Sequence, residues 1–397
     1  MSKDPKSVHQ IQLFKNDTAA GLLLRTNDGC KIEFNNEFKD QHSNLTFNIT
    51  TKIKTYDFRG AGLPPYFAGL LPEGLRLKSL IKKIKTSPDD LFSLLAASGG
   101  ETTGDIHFKS VEDQTDSFDV PDDFQSIKER LQKGYDPGRN SLAGVQDKIS
   151  ADRISLPINV KKKNKSYILK LASTEFPDVI ANELICLKIA QACGLDVNKG
   201  KIVTDKNDQM ALLVERFDRQ YNTIEKKWNR FHQEDACQFL DRYPSDKYII
   251  SFQEIADQVI NLSTSPEIEI LNLMKLKAFS YLIGNGDLHA KNISLIQNDE
   301  GVVKLTPCYD LVCTALYGDQ KMALQLLGKN ENLKVKTFMQ FGLRYDIPEV
   351  ATLSMLTKLT KNFVLHADKM FSFPLAIKKE KSIRSFFNQR LKHLNAN

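Results

Sequence analysis

Between residues 9 and 60 the chain alternates apolar and polar positions in short runs: IQLF, GLLL, CKIEF, LTFNITT and IKTYDF. A period of two punctuated by Asn27-Asp28-Gly29 and Asn35-Asn36 predicts short antiparallel strands joined by turns. A turn segment follows, Gly60-Ala61-Gly62-Leu63-Pro64-Pro65, and the period then lengthens, predicting a packed helix over 66–84. Ser87-Pro88-Asp89-Asp90 predicts a helix start, with Ser87 as N-cap and Pro88 in the first turn, running through Leu91, Leu94 and Leu95.

Residues 110–123 hold six acids, no base and one proline, the composition of a solvated linker. Beyond it, a loop over 141–152 precedes a basic turn at 161–165 and a strand over 166–171. A helix is predicted over 178–193, ending near Gly194, and strands at 202–203 and 211–217. From Asp235 onward helices dominate, apart from one hairpin over 293–304. A small sheet-rich part followed by a large helical part is the α+β profile of a bilobal, protein-kinase-like fold.

Composition narrows the function classes only modestly. The 397 residues carry 55 basic and 49 acidic side chains, a net charge of +6 that permits an acidic partner without requiring one. Hydrophobic (41%) and charged (26%) shares are those of a globular protein, which excludes disordered and fibrous classes. The six cysteines form no CxxC pair, which argues for free thiols in a reducing compartment over structural zinc. No apolar run approaches the ~18–20 residues of a membrane span. The first residues lack the apolar core of a signal peptide, so the expectation is a cytoplasmic protein without membrane contact.

Candidate chemistry sits in Gly286-Asp287-Leu288-His289-Ala290-Lys291-Asn292. An aspartate followed at i+5 by asparagine is the catalytic-loop spacing of protein kinases: a carboxylate for the substrate hydroxyl and a neutral oxygen ligand for Mg²⁺. Eighteen residues after Asn292 comes Asp310, in Cys308-Tyr309-Asp310-Leu311, a candidate second metal ligand although no Asp-Phe-Gly is present. Taken singly, Asp287 could equally cap a helix and Asp310 serve a turn. Lys170 ends an apolar strand, as the phosphate-pairing lysine of kinases does, and Glu183 follows thirteen residues later where a lysine-orienting glutamate belongs. Either could also be an ordinary strand-edge or helix residue.

In this order these segments resemble the HipA family of bacterial toxin kinases from type II toxin–antitoxin modules, over nearly the whole chain. Leu70-Leu71-Pro72-Glu73-Gly74 and Asp90-Leu91-Phe92-Ser93-Leu94-Leu95 are similar to its N-terminal subdomain. The stretch from Ser141 through Ala143, Gly144, Val145, Gln146, Asp147 and Lys148 resembles its phosphate loop, with Val145 and Asp147 mild departures. Glu215-Arg216-Phe217-Asp218-Arg219 resembles its hinge, and Gln233-Glu234-Asp235 is followed by a helix as in the family. The resemblance divides the chain into 1–110 (N-terminal subdomain), 111–232 (the rest of the N-lobe) and 233–397 (the helical C-lobe).

The resemblance implies a Ser/Thr protein kinase using ATP and Mg²⁺. Asp287 would be catalytic, Asn292 and Asp310 would hold the metal, and Lys170 would contact phosphates. Residues 143–148, Glu215, Arg216, Phe217, His289, Ala290, Lys291 and Tyr309 would complete the nucleotide site. Ser141 would be an inhibitory autophosphorylation site. The implied partners are a HipB-like helix-turn-helix antitoxin, operator DNA through that complex, and an aminoacyl-tRNA synthetase as substrate, glutamyl-tRNA synthetase by family default. The basic run Lys378-Lys379-Glu380-Lys381 with Arg384 could face that DNA or simply be a solvated helix face. Two competing readings are a nucleotide-binding scaffold without turnover, and a kinase of small molecules or lipids.

Overall fold

The computed structural model describes residues 4–60, 62–98, 102–108, 123–133, 154–160, 165–172 and 175–395. They form two compact units that follow contacts rather than chain order. The first gathers 1–171, 204–209 and 218–244; the second gathers 172–203, 210–217 and 245–397. Among the described residues no helix is long and apolar enough to cross a membrane.

The first unit is built on a five-stranded antiparallel sheet in the order Thr55–Arg59, Gly29–Phe34, Thr18–Thr26, Gln10–Lys15, Ile106–Phe108. The register pairs Ile11 with Leu23 and Leu23 with Ile32, so the predicted alternation buries one face. That face packs on Phe38, Phe67, Phe92 and Leu95. Two predictions fail locally. Residues 45–51 form no strand beyond an isolated Asn44–Thr50 bridge, because the Thr46 hydroxyl takes the Asn48 and Ile49 amides into a tight turn. The expected helix over 66–84 is two helices, Pro65–Gly69 and Gly74–Ile84, separated at Pro72, which has no N–H to continue the ladder.

The next helix, Leu91–Ser98, begins three residues later than the Ser87 cap predicts. Its capping oxygen is Asp90 Oδ1, which accepts from Ser93 N at 3.2 Å, while Ser87 Oγ takes the Asp89 amide within the preceding turn. The hairpin Ile154–Val160/Lys165–Leu171 also belongs to this unit, and Arg76 Nη1 donates to Ser155 O at 3.2 Å.

Residues 218–244 join this unit through buried charge. Asp218 Oδ2 accepts from Gly104 N, and Arg219 Nη1 donates to Gly104 O. His232 lies between two carboxylates: Nδ1 is 2.7 Å from Asp105 Oδ1 and Nε2 is 2.8 Å from Glu234 Oε1. Lys15 Nζ reaches Asp105 Oδ2 at 2.9 Å and Leu45 O at 2.9 Å, and Glu234 also accepts from Phe47 N. Tyr66 stacks on the imidazole and Phe47 meets it edge-on. Burial and Lys15 oppose protonation of His232, but the Asp105 and Glu234 carboxylates outweigh them and raise its pKa. Burial would raise Asp105, yet His232 and Lys15 hold it below the usual carboxylate range.

A raised histidine stabilises the fold fully below its unfolded value of 6.5 and loses that contribution as pH rises through the folded value. His232→Gln should therefore destabilise this unit by about 3–5 kcal/mol at pH 6, the cost of breaking a buried charged pair. The gap to wild type should narrow as pH climbs into the alkaline range. Urea denaturation of both proteins at a series of pH values checks this; a gap that widens with pH would contradict it.

The second unit is mainly helical. Val179–Ala192 packs against the strand Met210–Glu215, close to the predicted ranges. Phe252–Leu262, Pro266–Ile283, Val335–Arg344, Glu349–His366 and Glu380–Leu394 build the rest, with the predicted hairpin at Ser294–Gln297/Val303–Leu305. All six cysteines are unpaired.

Candidate active site

The candidate catalytic loop hangs from the end of the helix Pro266–Ile283. Gly284 stops that helix in the left-handed region (φ 73°), and Asn285 N returns to Ser280 O at 2.9 Å. A Cβ on Gly286 would lie 2.6 Å from Lys321 O and 2.9 Å from Thr314 Oγ1, so only glycine lets the chain pass there.

The loop is buried: Asp287, His289, Lys291 and Asn292 expose 5%, 4%, 4% and 8% of their surface. Its backbone groups must therefore find partners inside the protein. Gly286 N donates to Thr314 Oγ1 at 2.7 Å and Asp287 N to Asn285 Oδ1 at 3.0 Å. Asp287 O accepts from His289 N at 2.9 Å and from Asn292 Nδ2 at 3.0 Å. The i+5 spacing read from the sequence thus closes physically: the Asn292 amide locks onto the Asp287 backbone. Ala290 N donates to Lys247 O at 3.1 Å, and Tyr248 Oη donates to Asp287 Oδ1 at 2.9 Å.

Tyr309 and Asp310 reach the loop from a second segment. The Tyr309 hydroxyl donates to Lys291 O at 2.8 Å and lies 2.6 Å from Ser294 Oγ. Its ring centroid is 5.9 Å from that of Phe217. Asp310 has φ 53°, a conformation that costs a residue with a Cβ about 1–2 kcal/mol. Cost of this kind persists where the surroundings fix it, and here they do. On one side Cys308 N donates to Asp196 O and Asn198 N to Cys308 O. On the other, the Asn182 side chain accepts from Cys313 N at 3.0 Å and donates to Cys313 O at 3.1 Å.

Burial, together with the Lys247 and Lys291 cations, drives the His289 pKa well below its usual value; Asp310 opposes them only in part. The imidazole is thus neutral at neutral pH. Its buried Nδ1 has no hydrogen-bond partner among the described residues.

Asn292 Nδ2 is spent on the loop, which leaves its amide oxygen for a cation, and Asp310 supplies a carboxylate. Two hard oxygen ligands suit Mg²⁺, which keeps the rest of its shell for water and phosphate oxygens. The donor set therefore fits the metal expected from the sequence.

Within the second unit the structure brings together Asp287, His289, Ala290, Lys291, Asn292, Tyr309 and Asp310, with Phe217 against Tyr309. Glu215 ends the strand Met210–Glu215, its N–H on Lys199 O at 2.8 Å, and Arg216 is buried. Glu183 is fully buried on the helix Val179–Ala192. Lys170 belongs to the first unit, buried on Lys165–Leu171 opposite Ser155. Ser141 and 143–148 lie outside the described residues.

Sequence reasoning missed Lys247, Tyr248, Asn182 and Thr314. Only Asn182 carried a local signal, as a second polar residue beside Glu183 within an apolar helix.

Residues 140–367 match the HipA-like C-terminal domain and residues 11–109 the HipA N-terminal domain. The putative kinase Y4mE of Sinorhizobium fredii (strain NBRC 101917 / NGR234) is 31% identical over 318 residues, 74% of each chain. The serine/threonine-protein kinase toxin HipA of Shewanella oneidensis is 27% identical over 284 residues, 66% of this chain and 65% of that one. A chain of the S. oneidensis MR-1 HipA, HipB and operator DNA complex superposes with a TM-score of 0.75 at 20% identity, covering 97% of this chain and 96% of that one. That likeness establishes the α+β, kinase-like fold, and with both family domains matched in order, this chain belongs to the HipA family.

Proposed function

We propose that the chain is an ATP- and Mg²⁺-dependent serine/threonine protein kinase acting as the toxin of a toxin–antitoxin pair. The observation that carries this reading is the closed Asp287–Asn292 loop with Asp310 beside it. Asp287 would orient and deprotonate the acceptor hydroxyl, while Asn292 and Asp310 hold the metal. Bound Mg²⁺ would neutralise phosphate charge as it develops on the transferring group. Neutral His289 would hydrogen-bond the nucleotide without adding charge, and Phe217 and Tyr309 would offer it aromatic surface. The roles of Lys170 at the phosphates, and of Glu215, Arg216 and residues 143–148 at the nucleotide, rest on the family resemblance.

An aminoacyl-tRNA synthetase is the proposed protein substrate, in the cytoplasm. The proposed partner is a HipB-like helix-turn-helix antitoxin, with operator DNA bound through that complex, as in the S. oneidensis assembly. Ser141 is proposed as the inhibitory autophosphorylation site. A phosphate there would add about −1.5 to −2 charges beside the site for ATP's own phosphates.

Purified protein incubated with ATP and Mg²⁺ should gain one phosphate, located on Ser141 by intact mass and peptide mapping. Asp287→Asn should slow that transfer by about 10²–10⁴-fold while leaving the melting temperature unchanged. Retained transfer in this variant would remove Asp287 from its role. Wild type should lose activity toward a synthetase during long incubation with ATP, and Ser141→Ala should keep it. Equal persistence of the two would refute the switch.

A further inference from the structure

We propose that Tyr248 is a positioning residue that sets the plane of the Asp287 carboxylate, on a backbone that forms the second support of the catalytic loop. The inference rests on the reading of Asp287 as the catalytic aspartate. Three contacts join residues 247–248 to the loop, and they are of different kinds. The Tyr248 hydroxyl donates to Asp287 Oδ1 at 2.9 Å. The Lys247 carbonyl accepts from Ala290 N at 3.1 Å. The Tyr248 ring meets His289 edge-on, with centroids 5.2 Å apart and planes at 84°. One dipeptide thus touches the loop at 287, 289 and 290.

The support is itself held. A 3₁₀ turn at Pro244–Asp246 precedes it, and Asp246 O accepts from both Ile249 N and Ile250 N. Ser251 and Glu254 then form a reciprocal cap on the helix Phe252–Leu262, and Phe252 N is tied to Gln325 O. Lys247 and Ile250 are buried. Tyr248 therefore projects from a short stretch anchored at both ends, as a group that orients another side chain must.

An aspartate carboxylate turns freely about its last torsion unless something holds one oxygen. A donor on Oδ1 fixes the plane of the carboxylate, and with it the direction in which Asp287 meets a substrate hydroxyl. A neutral phenol does this without discharging the carboxylate, whereas an ammonium at the same distance would oppose proton uptake. Small errors in the placement of a reacting group are costly because orientation supplies much of the rate.

The test uses the full chain as wild type, Tyr248→Phe, Asp287→Asn and Tyr345→Phe. Tyr345 is the matched control: its hydroxyl donates to Asp257 Oδ1 at 2.8 Å, the same bond type away from the loop. Phosphate incorporation from MgATP is followed by intact mass across ATP concentrations. In Tyr248→Phe the maximal rate should fall about tenfold with half-saturating ATP within about twofold of wild type. Tyr345→Phe should change neither. In protein labelled with ¹³C at aspartate Cγ, the Asp287 resonance is the one missing from Asp287→Asn. It should move in Tyr248→Phe and stay in place in Tyr345→Phe. An unmoved resonance, or a maximal rate within twofold of wild type, would overturn the inference. If wild type incorporates no phosphate, the proposed function fails, and the resonance alone then decides whether Tyr248 holds Asp287.

Discussion

A buried loop must satisfy its own backbone, and that requirement organises the C-terminal unit. With Asp287 through Asn292 almost wholly enclosed, each uncompensated N–H or C=O would cost about 1–3 kcal/mol. Partners come from Asn285 just before the loop, Asn292 within it, Thr314 after Asp310, and the Lys247 carbonyl before the helix Phe252–Leu262. Residues suited to metal and phosphate chemistry are thereby held at fixed separations before any ligand arrives. Preorganisation of this kind is where phosphoryl-transfer sites find most of their rate, since little covalent chemistry is left to the protein.

Two buried histidines show how the same desolvation can end in opposite pKa shifts. His232 and His289 both lose their water, which disfavours the imidazolium in each. Around His232 two carboxylates contact both ring nitrogens and raise its pKa. Around His289 burial dominates, the Lys247 and Lys291 cations add to it, Asp310 opposes them only in part, and the pKa falls. At His232 the neighbours reverse the sign that burial gives, and at His289 they leave it standing. The first histidine closes a buried cluster with Asp105, Glu234 and Lys15 that binds 218–244 to the N-terminal sheet. The second stays neutral beside a candidate phosphate site, where its unpartnered Nδ1 remains available to a ligand.

What was legible in the sequence was local. The i+5 pairing of Asp287 with Asn292 could be read because both ends of the hydrogen bond lie on one loop. The alternation over 10–34 could be read because a sheet face imposes a period of two. Tyr248 on Asp287 and Asn182 on Cys313 could not, since those bonds span 39 and 131 residues and neither partner hints at the other. The local errors have two causes. The 66–84 helix breaks at Pro72, which has no N–H. At 45–51 the Thr46 hydroxyl captures two amides against the strand that periodicity favours, and at 87–90 Ser87 takes the Asp89 amide while Asp90 caps the helix in its place.

The segment Glu215-Arg216-Phe217-Asp218-Arg219 reads as one motif, yet it changes units between its third and fourth residues. Before that point its anchors are in the C-terminal unit: Glu215 N on Lys199 O and the Phe217 ring against Tyr309. After it, Asp218 and Arg219 take the amide and carbonyl of Gly104 in the N-terminal unit. The Asp218-Arg219 end of the motif thus serves folding, while Phe217 lies against Tyr309 in the other unit. Buried Asp218 is satisfied by an arginine and an amide of its own unit, so it does not depend on a ligand. The five-residue motif therefore carries two separate constraints, one in each unit.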